Sequence, residues 1–293
     1  MCAVSRTRWG SAVAVVVLVS GTAAGCGGSD EGAAPAGRSA SGSDPADATR
    51  AVRSAYDRTV AADTAKLTVS SKAVAGGQSV TAQGRGTVDL AQGDSEVTLT
   101  SQGTRLEQRL VDGIVYQKPP ASQRGPLPEG RTWMKIDPAR LQGSKTQNTQ
   151  VSDPVEPFGY VKGAGSGKVA KVGTETVNGT RTTHYRVDVE VSALARGDQA
   201  RAQALRKQLG TSSVPLHLWL DDQGRLRQET VTLTLRPLRD STPTDRAETR
   251  VTSTTTLRFD DFGTKVDVAP PPAGQTADMT DKLAKATRSP QAG

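Results

Sequence analysis

The strongest constraint on this chain is a strict alternation of apolar and polar residues. Thr183, Tyr185, Val187, Val189 and Val191 fall on one side of the chain, and His184, Arg186, Asp188 and Glu190 on the other. Successive side chains of a β-strand point to opposite faces, so this segment reads as a strand buried on one face only. The period recurs. Leu216, Leu218 and Leu220 alternate with His217 and Trp219, and Val231, Leu233 and Leu235 alternate with Thr230, Thr232 and Thr234. Earlier, Leu67 and Val69 alternate with Thr68 and Ser70, and Val97 and Leu99 with Glu96, Thr98 and Thr100. Val251 to Phe259 is a last long strand rich in Thr. Asp112-Gly113 and Asn178-Gly179 mark tight hairpins. These short spacings suit an antiparallel meander rather than βαβ units, and one apolar face per strand predicts a sheet covered on one side.

Helical patterns interrupt the strands. Asp44-Pro45 opens a helix with Ala48, Val52, Ala55, Tyr56, Thr59 and Val60 on one face, ending near Asp63. A polar stretch from Asp137 to Val151 holds a short helix or loop around Leu141. A further helix starts near Asp153-Pro154 and runs through Tyr160 and Val161, until the Gly163–Gly167 run breaks it. A basic helix spans Asp198 to Leu209. The fold class is therefore α+β, with about five to seven strands before the loop-helix insert and four to five after it. After Pro270-Pro271-Pro272 the chain is polar, with a weak helix near Leu283. The resulting boundaries are 1–25 for a signal segment, 26–44 for a tether, 45–272 for a single domain and 273–293 for a polar tail.

The first segment reads as an address. Arg6 and Arg8 precede an apolar run from Ala12 to Val19, too short to span a bilayer, and small residues follow. Ala23-Ala24-Gly25-Cys26 resembles the bacterial lipobox, although Ala23 stands where Leu is preferred. The resemblance makes Cys26 the residue that takes a lipid and becomes the new N-terminus. The alternative is an ordinary secretory signal cut after Ala24. Gly27 to Ser43 is a flexible stretch of Gly, Ser, Ala, Asp and Pro that reaches at most roughly 55–60 Å when extended. The whole chain carries 37 basic and 30 acidic residues, a balance of +7. Cleavage before Cys26 removes Arg6 and Arg8 and leaves +5.

Composition and motifs exclude several function classes. Aromatics make up 3% of residues, which argues against a base-stacking nucleic-acid platform. The basic residues Arg201, Arg206, Lys207, Arg225, Arg227, Arg236 and Arg239 form no long run, so no nucleic-acid partner is expected. A surface drawn to anionic lipid headgroups and a merely soluble surface both fit them. Two Cys rule out a disulfide scaffold. No G-x-S-x-G, H-E-x-x-H or phosphate-loop pattern occurs, so no enzyme activity, catalytic residue, metal or cofactor is expected. His184 and His217 are 33 residues apart and read as structural residues of separate strands rather than one site. Asp221-Asp222 and Asp260-Asp261 precede Gly-containing turns and read as turn residues. Trp219, Phe259 and Phe262 read as core anchors.

Three segments of the second half carry a family resemblance. Val177-Asn178-Gly179-Thr180-Arg181-Thr182-Thr183-His184-Tyr185 is similar to a V-x-G-x-x-T-x-x-Y hairpin. Val214-Pro215-Leu216-His217-Leu218-Trp219-Leu220-Asp221-Asp222-Gln223-Gly224-Arg225-Leu226 is similar to a P-x-x-x-W-x-D-x-x-G strand and turn. Phe259-Asp260-Asp261-Phe262-Gly263, running on to Val268-Ala269-Pro270-Pro271, is similar to an F-x-[DN]-[FYW]-G closing segment. Order and spacing of the three resemble the LolA-like lipoproteins of the LppX/LprG type, over roughly Ala46 to Pro272. The resemblance implies a strongly curved antiparallel sheet, a half-barrel, closed by helices. It also implies an apolar interior cavity that takes acyl chains, for lipid transport or sensing in the cell envelope at the outer face of the cytoplasmic membrane. An envelope transport partner fits that role. The candidate cavity residues are Tyr56, Val60, Val97, Leu99, Tyr185, Val187 and Val189, with Leu218, Leu220, Val231, Leu233, Val251, Leu257 and Phe259. The residues themselves leave an alternative open: a tethered, non-catalytic interaction module whose helices fill the same concave face.

Overall fold

A computed structural model describes residues 45–124, 127–141, 158–164, 167–195, 199–235 and 250–288. Cys26, the signal segment and the tether lie outside the described residues. The domain is α+β: one curved, mostly antiparallel sheet of twelve strands with a few helices on one face. The first half supplies β1 (Thr64–Ala75), β2 (Gln78–Asp89), β3 (Ser95–Ser101), β4 (Thr104–Val111), β5 (Ile114–Lys118) and β6 (Trp133–Ile136). The second half supplies β7 (Lys168–Val177), β8 (Thr180–Glu190), β9 (Ser213–Asp221), β10 (Leu226–Leu235) and β11 (Val251–Asp260). A short β12 (Thr276–Asp278) completes the sheet, in the order β12-β6-β5-β4-β3-β2-β1-β11-β10-β9-β8-β7. Each half is a meander, and the two join where β1 pairs antiparallel with β11.

The hairpin signals act as expected. Asp112 and Gly113, and Asn178 and Gly179, all take positive φ, as a two-residue turn matching the strand twist requires. Curvature has a different source. On the inner face, a Cβ at Gly84 would come within 2.7 Å of the Leu99 Cδ2 and 3.0 Å of a Val97 methyl, and one at Gly86 would overlap the Glu96 carbonyl. Only a residue without a side chain lets β3 come this close to β2.

Helix α1 (Pro45–Val60) buries Ala48, Val52, Ala55 and Thr59, the face read from the sequence. It packs on β7 and β10 and against α3 (Phe158–Ala164). α4 (Val191–Leu194) and α5 (Gln199–Leu209) cover β8 and β10. Val191, read as the end of a strand face, instead opens α4. Its N–H still pairs across to Ser212 O at 2.8 Å, next to the last β8–β9 pair, and its side chain stays buried in the core as the helix begins.

The C-terminal end of α1 clamps the β9–β10 turn. Thr59 Oγ1 donates to Ala55 O at 2.6 Å and accepts the Leu226 N–H at 2.8 Å, where a ladder irregularity lies between Leu226 and Gln228. Arg58 donates to Gln223 O at 2.9 Å. In the turn, Asp221 Oδ1 accepts from the N–H groups of Gln223 and Arg225, which is the turn role expected of it.

The segment after residue 272, read as a polar tail, is part of the fold. β12 pairs parallel with β6, and α6 (Thr280–Arg288) follows, close to the helix expected near Leu283. Thr280 Oγ1 accepts the Asp137 N–H at 3.0 Å, and Arg140 of α2 (Pro138–Leu141) forms ion pairs with Asp278 and Asp281. Backbone pairing and the burial of Met279, Thr280 and Ala284 hold the segment, and the ion pairs lie at its surface.

Candidate functional site: the helix-covered face of the sheet

Register places the candidate residues. Tyr185 faces Leu218, Leu218 faces Glu229, Glu229 faces Leu257, and Leu257 faces Val69. The row continues through Gly84 to Leu99. A parallel row runs from Val187 through Leu216 and Val231 to Thr255, and another joins Phe259, Leu67, Gly86 and Val97. All these side chains share the face that α1, α3, α4 and α5 cover.

Thirteen of the fourteen candidate residues belong to one apolar cluster. Val97, Tyr185, Val187, Val189, Leu218, Leu220, Val231, Leu257 and Phe259 are buried in it, and Tyr56, Val60, Leu99 and Leu233 pack against it half-buried. Val251 lies on the same face of β11, opposite Ala75 and Leu235, but outside the cluster. An aromatic stack bridges helix and sheet: Tyr56 lies 5.1 Å from Phe158, and Phe158 5.3 Å from Phe259. Two shallow depressions lie away from this face: one on the outward side of α1 at Pro45, Thr49 and Arg53, the other at the β9–β10 turn around Asp221 and Arg225.

One residue on this face was missed in the sequence. Glu229 is 0% exposed, and neither carboxylate oxygen has a hydrogen-bond partner among the described residues. Burial pushes its carboxyl well above the usual carboxylate range. The signal was its parity: Glu229 stands two residues before Val231, on the apolar side of the alternation. Gln108 and Gln117 are also buried near this face but satisfy each other, with the Gln117 amide donating at 2.9 Å.

The opposite face corrects the reading of the two histidines. His184 Nε2 lies 2.9 Å from His217 Nδ1, and His184 Nδ1 lies 2.8 Å from Glu175 Oε1. Trp219 donates its indole N–H to Glu175 Oε2 at 2.9 Å and stacks on His184 at 4.2 Å. The four residues form one cluster on the outer face of β7, β8 and β9, so Trp219 anchors that face rather than the inner core. Hydrogen bonds from Trp219 and His184 hold the Glu175 carboxyl below its usual range. Burial, then the neighbouring His184, pushes His217 down. The polar-face parity of His184, His217 and Trp219 was visible in the sequence, but not the pairing that sets His184 opposite Trp219 and brings Glu175 beside them from the β7–β8 hairpin. Phe262 packs at the edge of the core with Arg225 and Arg227 at 4.6 and 5.0 Å from its ring centre. Asp260 accepts from the Asn178 amide, and Asp261 pairs with Lys66.

Among the described residues, no group of three or more His, Cys, Asp and Glu side chains is placed to hold a metal ion. No helix among them is long and apolar enough to cross a membrane.

No family model matches the chain. It is 27% identical over 176 residues to an uncharacterized 31.2 kDa protein of Streptomyces griseus, a match over 56% of this chain. The chain spans about half the length of that curated relative, 53%. Solved structures similar to it include lipoproteins of the type that the motifs resemble. Lipoprotein LppX of Mycobacterium tuberculosis is 16% identical, with a TM-score of 0.45 over 78% of this chain and 100% of that one. LprF of Mycobacterium bovis is 12% identical, with a TM-score of 0.42 over 77% of this chain and 97% of that one. A LolA superfamily protein of Nitrosomonas europaea is 10% identical, with a TM-score of 0.28 over 76% of this chain and 94% of that one. At these identities and TM-scores they carry no residue-level or functional argument.

Proposed function

We propose that the protein is a non-catalytic lipoprotein of the cell envelope, anchored through acylated Cys26. Its domain binds lipid acyl chains against the inner face of the sheet. The observation that carries this reading is the segregation of the sheet: thirteen of the fourteen candidate residues belong to one apolar cluster between the sheet and the helices that cover it. The motif resemblance of the second half supports it independently. The acyl chain lodges between helices and sheet, in place of part of the contact between α1 or α3 and the strands. Each methylene moved from water onto that face contributes about 0.8 kcal/mol, so ten contribute roughly 8 kcal/mol before ordering costs. Lipid transport and lipid sensing both use such a face.

The test is direct. The full chain carrying Cys26→Ser, purified under mild conditions, co-purifies with lipid seen by native mass spectrometry. Substituting Val231 or Leu233 with Trp reduces that lipid more than it lowers the melting temperature. Protein that is repeatedly empty, and that takes up no fluorescent fatty acid, overturns the reading.

A second reading has its own observation. The helices cover the apolar face, and its buried side chains pack there as one cluster. A tethered interaction module with a filled core fits that packing, and empty protein in the same test supports it.

A further inference from the structure

Glu229 sits at the centre of the apolar inner face, between Leu218 on β9 and Leu257 on β11, with α1 and α5 packed on its strand. It is fully buried, and both its oxygens lack partners among the described residues. Other buried polar groups of the sheet and its helices differ. Thr59 pairs with Ala55 and Leu226, and Gln108 with Gln117. A carboxyl that nothing satisfies weakens the empty fold, and Leu in its place would continue the row Tyr185, Leu218, Leu257, Val69 without cost. A hydrocarbon chain laid on this face would leave the carboxyl just as unsatisfied. A ligand oxygen brought to it would not.

Resting on the lipid-binding reading above, we propose that Glu229 is the polar contact for the bound lipid, its carboxyl O–H donating a hydrogen bond to the carbonyl oxygen of an acyl group. Burial favours the protonated form that this contact needs. The contact sets a ligand's depth and register on a face that is otherwise apolar and undiscriminating. It also assigns the ligand class: acyl esters or acids rather than plain hydrocarbons or sterol-like skeletons. An ester and a free fatty acid supply the same acceptor, and separate arms distinguish them.

The experiment uses the full chain stripped of lipid, with N-phenyl-1-naphthylamine as the displaced fluorescent probe. Methyl laurate, lauric acid and dodecane compete in turn, against the wild type, Glu229→Gln and Glu229→Leu. Loss of one buried hydrogen bond corresponds to about tenfold in affinity. Glu229→Leu is expected to weaken methyl laurate about tenfold or more, bind dodecane at least as tightly as the wild type, and unfold at higher denaturant when empty. Glu229→Gln keeps a donor and stays within about threefold of the wild type for methyl laurate. Weakening of lauric acid in step identifies the shared carbonyl, and weakening of the ester alone restricts the class to esters. If Glu229→Leu binds methyl laurate as the wild type does, or weakens ester and hydrocarbon alike, the assignment is overturned while lipid binding stands. If the wild type binds none of the three, both fall. Should Glu229→Leu fail to fold, equal wild-type affinity for methyl laurate and dodecane overturns the assignment by itself.

Discussion

Thr59→Val tests whether the α1 clamp holds the β9–β10 turn. The substitution keeps the shape of the side chain and removes one oxygen. That oxygen is the acceptor for the Leu226 N–H at 2.8 Å, at a point where the ladder is irregular, and both residues are 0% exposed. The valine methyl cannot accept, and no water reaches the amide. A buried donor left unpaired costs about 1–3 kcal/mol. With a urea m-value of about 2 kcal/mol/M, the midpoint falls by roughly 0.5–1.5 M. Thr59→Ser keeps the hydroxyl and loses one methyl, about 0.8 kcal/mol, and so shifts the midpoint by roughly 0.4 M. The assay is urea unfolding followed by far-UV circular dichroism, with m unchanged in both variants. Thr59→Val as stable as the wild type, or more stable than Thr59→Ser, refutes the clamp.

Other consequences are equally concrete. Gly86→Ala places a Cβ on the Glu96 carbonyl and costs roughly 3 kcal/mol or more, or prevents folding, whereas Gly173→Ala meets nothing within 4 Å and stays within about 0.5 kcal/mol; thermal melts of both compare them. His217 is held low in the fold, so the unfolded chain takes up its proton first. The stability it contributes is complete above about pH 6.5 and is lost as pH falls below that value, and Glu175, also held low, adds a loss below about pH 4.5. Melting temperatures between about pH 4 and 7.5 show this slope, and His217→Gln flattens its upper part. Cys26→Ser abolishes incorporation of labelled palmitate and moves the protein out of the membrane fraction; unchanged partition refutes acylation as the anchor.

Local pattern carried most of the strands and little of their assembly. Alternation at 183–191, 216–220 and 231–235 located β8, β9 and β10 and chose their apolar faces, because the period of a strand is written in consecutive residues. Asn178-Gly179 fixed the β7–β8 register for the same reason. The pairing of Leu67 with Phe259 was not legible, since no local feature states which strand edges meet. Gly84 and Gly86 leave no mark in the period-two pattern, yet they let β3 approach β2 closely. Residues 273–288 read as tail because the segment buries, among the described residues, only Met279, Thr280 and Ala284, too few to show as an apolar pattern, and is otherwise held by parallel backbone pairing. Thirteen of the fourteen candidate residues fall in one apolar cluster, whereas Glu229 was passed over because a single charged residue among threonines looks solvent-facing until its parity is counted. The outer cluster of Glu175, His184, His217 and Trp219 needed the β8–β9 pairing, which no local pattern states.

The seam between β1 and β11 sets a timetable. It joins residues 66–75 to residues 251–260, near the two ends of the domain, in the middle of the sheet. Each half can form its hairpins early, but the centre closes only after nearly the whole domain is available. Such non-local pairing slows folding and leaves two apolar strand edges open in the meantime. For a chain threaded through a membrane from its N-terminus, as the proposed route requires, β1 emerges first and waits longest. Its edge is the one in most need of a chaperone, and a truncation that stops short of residue 251 leaves that edge permanently unpaired.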